Sequence, residues 1–354
     1  MNVSPEDRIL FACTRQCFSD QHLQIVKDIS SHEVVDWNKV LSTAKLHGVA
    51  PLVYPNLRLS AAHNVNIPPD TLNQFRLCLM HNTITKQQMQ KNLIRSLSFF
   101  QGRSLKVLLV KGAALDILVY QQPEYTVLSD LDVVINVKKG QVSKQEQKAF
   151  VSFFNRTGVE FDYYAHHDVN MNGVLPINFE QVWRDAIDIR VGEYPAFVMS
   201  PEDMLISLCI NSCRKRYFRL KALADIAETV DKLDNLNWSK LIEKAKAYQC
   251  EAIVYTALLI TQLTLGCDLP GYTLESLNIN AFRAKIINSL IQRMSLSAFA
   301  SLRSDIIFLG RHIDTALLLP YATFRISQIW RRSLFALFFT EDGAPRFKAA
   351  VSVS

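Results

Sequence analysis

The sequence predicts an α/β (α+β) fold: a small mixed β-sheet core flanked by helical regions on its N- and C-terminal sides. Three observations carry this. Apolar residues recur at helical spacing through about the first hundred residues, and again from Ser200 onward. Between those regions short apolar runs alternate with short helical patterns. The composition, 49% apolar and 20% charged over 354 residues, is that of a chain able to bury a sizeable core.

The elements follow in order. "HEVVDWNKVLSTAKLHGVAPLVYPNL" places Val35, Trp37, Val40, Leu41 and Ala44 at helical spacing. Gly48 ends that helix and Pro51 opens the next. The run from "PPDTLNQF" to Gln101 predicts one long amphipathic helix, preceded by Pro68 and Pro69 and capped by Asp70 or Thr71. "KVLLV" (106–110) predicts a strand, "GAALDILVY" (112–120) a short helix and "LDVVINV" (131–137) a second strand. A helix over 143–156 stops at Gly158. "VEFDYY", "HHDVNM" and "AIDIRV" then read as strand-like pieces. "SPEDMLISLCINS" opens a helix with a serine cap, a proline at the first position and acids in the first turn. The division that results is a helical region over 1–100, a core over 101–198 and a second helical region over 199–354. The last part, from 280, is apolar and basic and ends in a tail expected to fray.

Charge and cysteine usage narrow the function classes. The net charge of +6, from 39 basic and 33 acidic residues, suits an anionic substrate without requiring nucleic acid. Seven scattered cysteines form no C-x-x-C pair. They predict reduced thiols and a cytoplasmic setting. Cys209 and Cys213, four apart, read as small core residues on one helix face. "MNVSPEDRILFACTRQCF" is not patterned as a secretory signal, and no apolar run reaches the length of a membrane span, so integral membrane association is not expected. "FLGRHIDTALLLPYATFRISQIWRRSLFALFF" reads as helical packing or a partner interface rather than a membrane-surface helix. P-loop, dinucleotide-binding, nucleophile-elbow, metalloprotease and kinase motifs are all missing.

One stretch concentrates the chemistry. Side chains alternate along a strand, so Asp130 and Asp132 in "SDLDVVI" project to the same face. Two carboxylates that close repel each other unless a cation relieves them. Mg²⁺ (or Mn²⁺) takes oxygen ligands and shares its shell with phosphate oxygens. Upstream, Lys111-Gly112 falls where a strand hands over to a helix. Gly112 permits close backbone approach, the helix start offers free N–H groups to phosphate, and Lys111 adds a point charge. An anion cradle joined to a carboxylate pair is a unit for metal-assisted phosphoryl chemistry. The basic run "RKRYFRLK" (214–221) reads as a solvated helical surface, with contact to a triphosphate worth testing and Tyr217 and Phe218 packed on the core. His166 and His167 are neighbours, which on a strand would face opposite ways and so disfavour zinc.

The residues "LLVKGAAL" (108–115), Tyr120, Tyr125 and "SDLDVVI" (129–135) resemble the polymerase-β nucleotidyltransferase superfamily. Within it the chain is similar to an uncharacterised nucleotidyltransferase family with a lysine–glycine turn followed by D-x-D. "DWNKVLSTAKLHGVAPLV", "SPEDMLISLCINSC" and "RLKALADIAETV" extend the resemblance over roughly residues 33–230. The resemblance implies a metal-dependent transfer of a nucleoside monophosphate from an NTP, with release of pyrophosphate. Asp130 and Asp132 would hold Mg²⁺, and Lys111, Gly112, Ala113 and Ser129 would cradle the triphosphate. It also implies a third carboxylate on a later strand, for which Asp168 is the first choice and Asp162 and Asp188 the alternatives. Asn170 stands where histidine is usual beside that acid, Thr126 where an arginine is frequent, and Asn211 where a second histidine is expected. The acceptor (small molecule, peptide, protein or RNA), the base and the oligomeric state stay open. Two other classes remain beside the enzyme: a catalytically degenerate interaction protein of the same fold, and a toxin-like RNA nucleotidyltransferase.

Overall fold

A single 33-residue helix, about 50 Å long at 1.5 Å per residue, is the spine against which N-terminal helices and parts of the sheet region pack. The structure is a computed structural model. It describes residues 3–279 other than 129, 216 and 218, together with 284, 285 and 287. The described residues belong to one compact unit. Ser129 and Phe218, and the apolar and basic C-terminal segment, apart from 284, 285 and 287, lie outside them.

The N-terminal region is helical, as the periodicity predicts: α1 (Pro5–Cys13), α2 (Asp20–His32), α3 (Trp37–His47), α4 (Ala50–Ala62) and the spine α5 (Pro69–Gln101). Ser4, Ser19 and Asp36 cap the first three by accepting backbone N–H groups. Gly48 ends α3 at φ +69°, a conformation open to glycine without a Cβ penalty. The cap of α5 differs from the expectation. Pro68 holds that position with no side-chain cap, and Pro69, which has no N–H to satisfy, takes the first helical turn.

The core holds β1 (Val107–Leu109), α6 (Lys111–Leu118), β2 (Leu131–Ile135), α7 (Lys144–Thr157), β3 (Val159–Tyr163), α8 (Phe179–Arg184), β4 (Ile187–Val191) and β5 (Tyr194–Val198). The sheet order is β3-β2-β1-β5-β4. β1 pairs antiparallel with β2 and parallel with β5, β2 pairs parallel with β3 across α7, and β4–β5 is an antiparallel hairpin. The sheet is therefore small and mixed, as the sequence predicts. Phe99 and Phe100 of α5, Phe150 and Phe154 of α7, and Phe161 of β3 interlock beneath it, with ring centroids 4.5 Å apart for Phe154–Phe161 and 5.2 Å for Phe100–Phe154. After the sheet come α9 (Pro201–Arg214), α10 (Leu220–Lys232), α11 (Trp238–Ala247), α12 (Glu251–Leu265) and α13 (Thr273–Ser276). Cys209 and Cys213 are buried on α9, and all seven cysteines are free thiols.

Three local readings change. "HHDVNM" is a series of turns, not a strand, and Met171, Asn172 and Gly173 all have positive φ. β5 is an added strand that Pro195 disguises. β1 is so short that its pairing with β5 reaches only Phe197 and Val198, so the missing N–H of Pro195 breaks no bond there. The run 214–221 is not one helix. It breaks between α9 and α10, with Tyr217 at φ +58°. Among the described residues no helix is long and apolar enough to cross a membrane.

Candidate functional site

The junction from β1 to α6 sets the site. Val110 is extended, Lys111 turns into the left-handed region at φ +51°, and the helix follows at once. That conformation is costly for a residue with a Cβ and marks a constrained position. It brings the Lys111 ammonium back over the head of β2, where Nζ lies 3.0 Å from Asp132 Oδ2 and 2.7 Å from Asp168 Oδ2. Gly112 faces Leu128 rather than open space, since a Cβ on it would stand 2.1 Å from Leu128 Cδ2. Ala113 is buried and borders a different hollow with Asp116 and Leu131. Ser129 lies outside the described residues.

The acids divide into two groups. Asp130, Asp132 and Glu160 form one, their nearest carboxylate oxygens all within 4.8 Å of one another. Glu160 is there because β3 runs parallel beside β2 with Glu160 directly opposite Asp132. Asp132 is 5% exposed. Its burial raises the carboxyl pKa, but His166 and Lys111 outweigh that and hold it below the ordinary aspartate value. Glu160 is pushed above the usual glutamate value by burial and by the charges of Asp132 and Asp130.

Asp168 stands outside that cluster, on the turn after β3, and is ion-paired to Lys111 and Arg214. Burial works against its ionised form, but those two cations hold its pKa at about 2. Of the alternatives, Asp162 gathers with His166 and His167. Its Oδ2 accepts from the His167 backbone N–H at 2.9 Å and lies 2.6 Å from His167 Nδ1. Asp188 is exposed on β4, at the edge of the sheet farthest from β3. The two histidines lie on the turn, not on a strand, and their rings stack 5.1 Å apart. His166 is 1% exposed, accepts the Asp168 N–H on Nδ1 at 3.0 Å, and presents Nε2 to Asp132 Oδ1 at 3.6 Å.

The broken basic run closes the other wall. Lys215, Arg219 and Lys221 line one cleft with Lys111, Gly112, Asp130, Asp132 and Asn211. Arg219 Nε is buried and makes no hydrogen bond among the described residues, while Lys221 is held by Asp225, which also accepts from the Tyr120 hydroxyl at 2.9 Å. Burial, and then the cations Arg219, Lys221 and Lys111, lower the pKa of Lys215. Lys111 and Lys221 are engaged by carboxylates, so the cleft's attraction for an anion rests mainly on Lys215 and Arg219. Tyr217 packs into the core, as expected, its hydroxyl donating to the Ile253 carbonyl at 3.4 Å. Thr126 is buried, bonded to Lys86 (2.5 Å) and Asp116 (2.7 Å), and does not line the cleft.

The sequence singled out Lys111, Asp130 and Asp132, and the structure brings them to one cleft. It did not single out Glu160, although "VEFDYY" carries the same acid-x-acid alternation as the D-x-D, nor His166 as a neighbour of Asp132.

The donor set of Asp130, Asp132 and Glu160 is all oxygen and tightly spaced, which fits a hard divalent cation such as Mg²⁺ or Mn²⁺. No curated protein and no solved structure matches the chain. A family profile described as uncharacterised nucleotidyltransferase matches residues 33–266, from Glu33 at the end of α2 to Gly266. With about two thirds of its length matched, and with the lysine–glycine turn and the paired aspartates facing a cationic cleft, the chain belongs to the uncharacterised nucleotidyltransferase family.

Proposed function

We propose that the protein transfers a nucleoside monophosphate from an NTP to an acceptor and releases pyrophosphate, with Mg²⁺ or Mn²⁺ held by Asp130, Asp132 and Glu160. The observation that carries this is the cleft itself, lined by Asp130 and Asp132 of the acidic cluster and by four cations, Lys111, Lys215, Arg219 and Lys221. A bound divalent ion there supplies neutralisation of phosphate charge and Lewis acidity.

The remaining work belongs to the chain. Arg219, Lys215 and Lys221 hold the β- and γ-phosphates, and the Lys111 ammonium, over the head of β2, draws the α-phosphate toward the acids. An acceptor oxygen or nitrogen forms a bond to the α-phosphorus as the bond to the bridging oxygen breaks, and the electron pair leaves on pyrophosphate. The acceptor's proton passes to a carboxylate. Glu160, within the acidic cluster, suits that task better than Asp168, which Lys111 and Arg214 already engage. Asp168 acts here as a positioning residue that fixes Lys111 and Arg214.

The test uses full-length protein with each labelled NTP and Mg²⁺, reading pyrophosphate release. Asp130→Ala, Asp132→Ala and Glu160→Gln each lose at least about 100-fold, whereas Asp168→Asn retains more activity than Glu160→Gln. Full activity in the Asp130→Ala and Asp132→Ala variants would sink the proposal. A second reading, a non-catalytic interaction protein, draws on the Lys111 bridge between Asp132 and Asp168, which already engages one carboxylate. It predicts nucleotide binding without pyrophosphate release at any divalent ion concentration.

A further inference from the structure

Beside the cleft lies a second hollow, of about 330 Å³, between the end of α3, the start of α4 and the first half of α5. That volume is in the range of small-molecule sites. Its walls are mainly apolar, with Pro51, Leu77, Cys78 and Val127 among them, while the exposed Gln74 and His81 supply polar atoms and a flat ring. Leu77 is 45% exposed although it is a large apolar side chain.

The hollow is not isolated from the cleft. Val127 lines both. Gly48 is part of the hollow's wall, and a Cβ on it would stand 3.7 Å from Arg219 Nη2 and 3.9 Å from Lys221 Cβ, both of them cleft residues. The two spaces therefore share a wall and meet at a cationic edge. A ligand suited to both has a polyanionic part for the cations and, covalently attached, a flat body with apolar faces and a hydrogen-bonding edge. His81 offers a stacking surface, and Gln74 has an amide that both donates and accepts.

We propose that this hollow receives the base and sugar of the nucleoside triphosphate whose phosphates occupy the cleft. The inference rests on the nucleotidyltransferase reading above and adds the subsite that discriminates a nucleotide from bare polyphosphate.

Cys78 in the wall provides the test. It is a partly accessible free thiol. Cys17 is the exposed one, and the other five are buried. Full-length protein with Mg²⁺ is alkylated with iodoacetamide in the presence of ATP, GTP, CTP or UTP in turn, or of inorganic tripolyphosphate. Modification at Cys78 and Cys17 is followed by peptide mass spectrometry, and binding is measured separately by calorimetry. At ten times its Kd, the preferred nucleotide slows Cys78 alkylation by about tenfold. Cys17 is unaffected, and tripolyphosphate binds without protecting Cys78. Leu77→Glu, a change at an exposed position, weakens that nucleotide by about tenfold and leaves tripolyphosphate affinity unchanged. If the nucleotides bind but protect Cys78 no better than tripolyphosphate does, the subsite is overturned and the transferase reading survives. If neither nucleotide nor tripolyphosphate binds, the transferase reading fails and takes the subsite with it.

Discussion

Alanine at Gly112 would place its Cβ 2.1 Å from Leu128 Cδ2, so the Leu128 side chain, between α6 and the segment leading into β2, would have to move aside. Gly112→Ala is expected to cost about 1–3 kcal/mol, the usual range for overpacking, seen as a lower urea midpoint. Leu128→Ala in the same chain should recover part of the loss, and an unchanged midpoint in Gly112→Ala would refute the packing argument. Asp168 gives a prediction in pH. Its folded pKa of about 2 lies below the ordinary 3.8, so its ion pairs contribute stability that is complete above pH 4 and fades as pH falls toward 2. Urea unfolding between pH 5 and 3 should show a shallower pH dependence in Asp168→Asn than in the parent. At this scale the sequence was most legible where one strand suffices, because alternation alone pairs Asp130 with Asp132. Glu160 escaped because its membership depends on which strand lies beside β2, a property of register that no local pattern contains.

Elements are joined by a few buried polar links whose removal has predictable signs. Lys86 on α5 donates to Asp116 of α6 at 2.7 and 2.5 Å and to Thr126 Oγ1 at 2.5 Å, while Asn82 donates to the carbonyls of Glu124 and Thr126 at 2.6 and 2.7 Å. Burial lowers the Lys86 pKa and raises that of Asp116 despite their attraction, so desolvation is the larger influence on both. Lys86→Met should therefore destabilise by about 3–5 kcal/mol through the carboxylate it strands, whereas Lys86→Met with Asp116→Leu should be far milder. Equal losses in the single and double variants, measured by denaturant unfolding, would contradict this. The long helices were readable because their period persists for many residues, and the first two strands of the core because each sits in a short, largely apolar run. The turn over 166–171 was not, because its alternation imitates a strand until Met171, Asn172 and Gly173 take positive φ. β5 was hidden by a proline whose lost hydrogen bond matters only where the neighbouring strand is long enough to ask for it. The run 214–221 was misread because nothing in its composition announces the break that turns its cations inward.

Across the whole molecule, the segment before the family match is structurally committed to the rest. Arg15 donates to Glu228 at 2.9 Å and to the Leu265 carbonyl at 2.7 Å and pairs with Asp231, while Asn56 donates to the carbonyls of Cys13 and Arg15 at 2.8 and 2.7 Å. The two helical flanks are thus joined around a fully buried carboxylate, Glu228. The Lys111 bridge has a parallel consequence for folding. Because its ammonium already stands between Asp132 and Asp168, the acidic centre has an internal counterion before any ligand arrives. Chelation with EDTA should accordingly abolish turnover while leaving the melting temperature within about 1 °C, a shift below that of 1 kcal/mol. Lys111→Met should make the melting temperature climb with added Mg²⁺. On the proposed reading, assembly of the fold and recruitment of an ion would be separate events, and the protein would stand fully built before its working charge arrives.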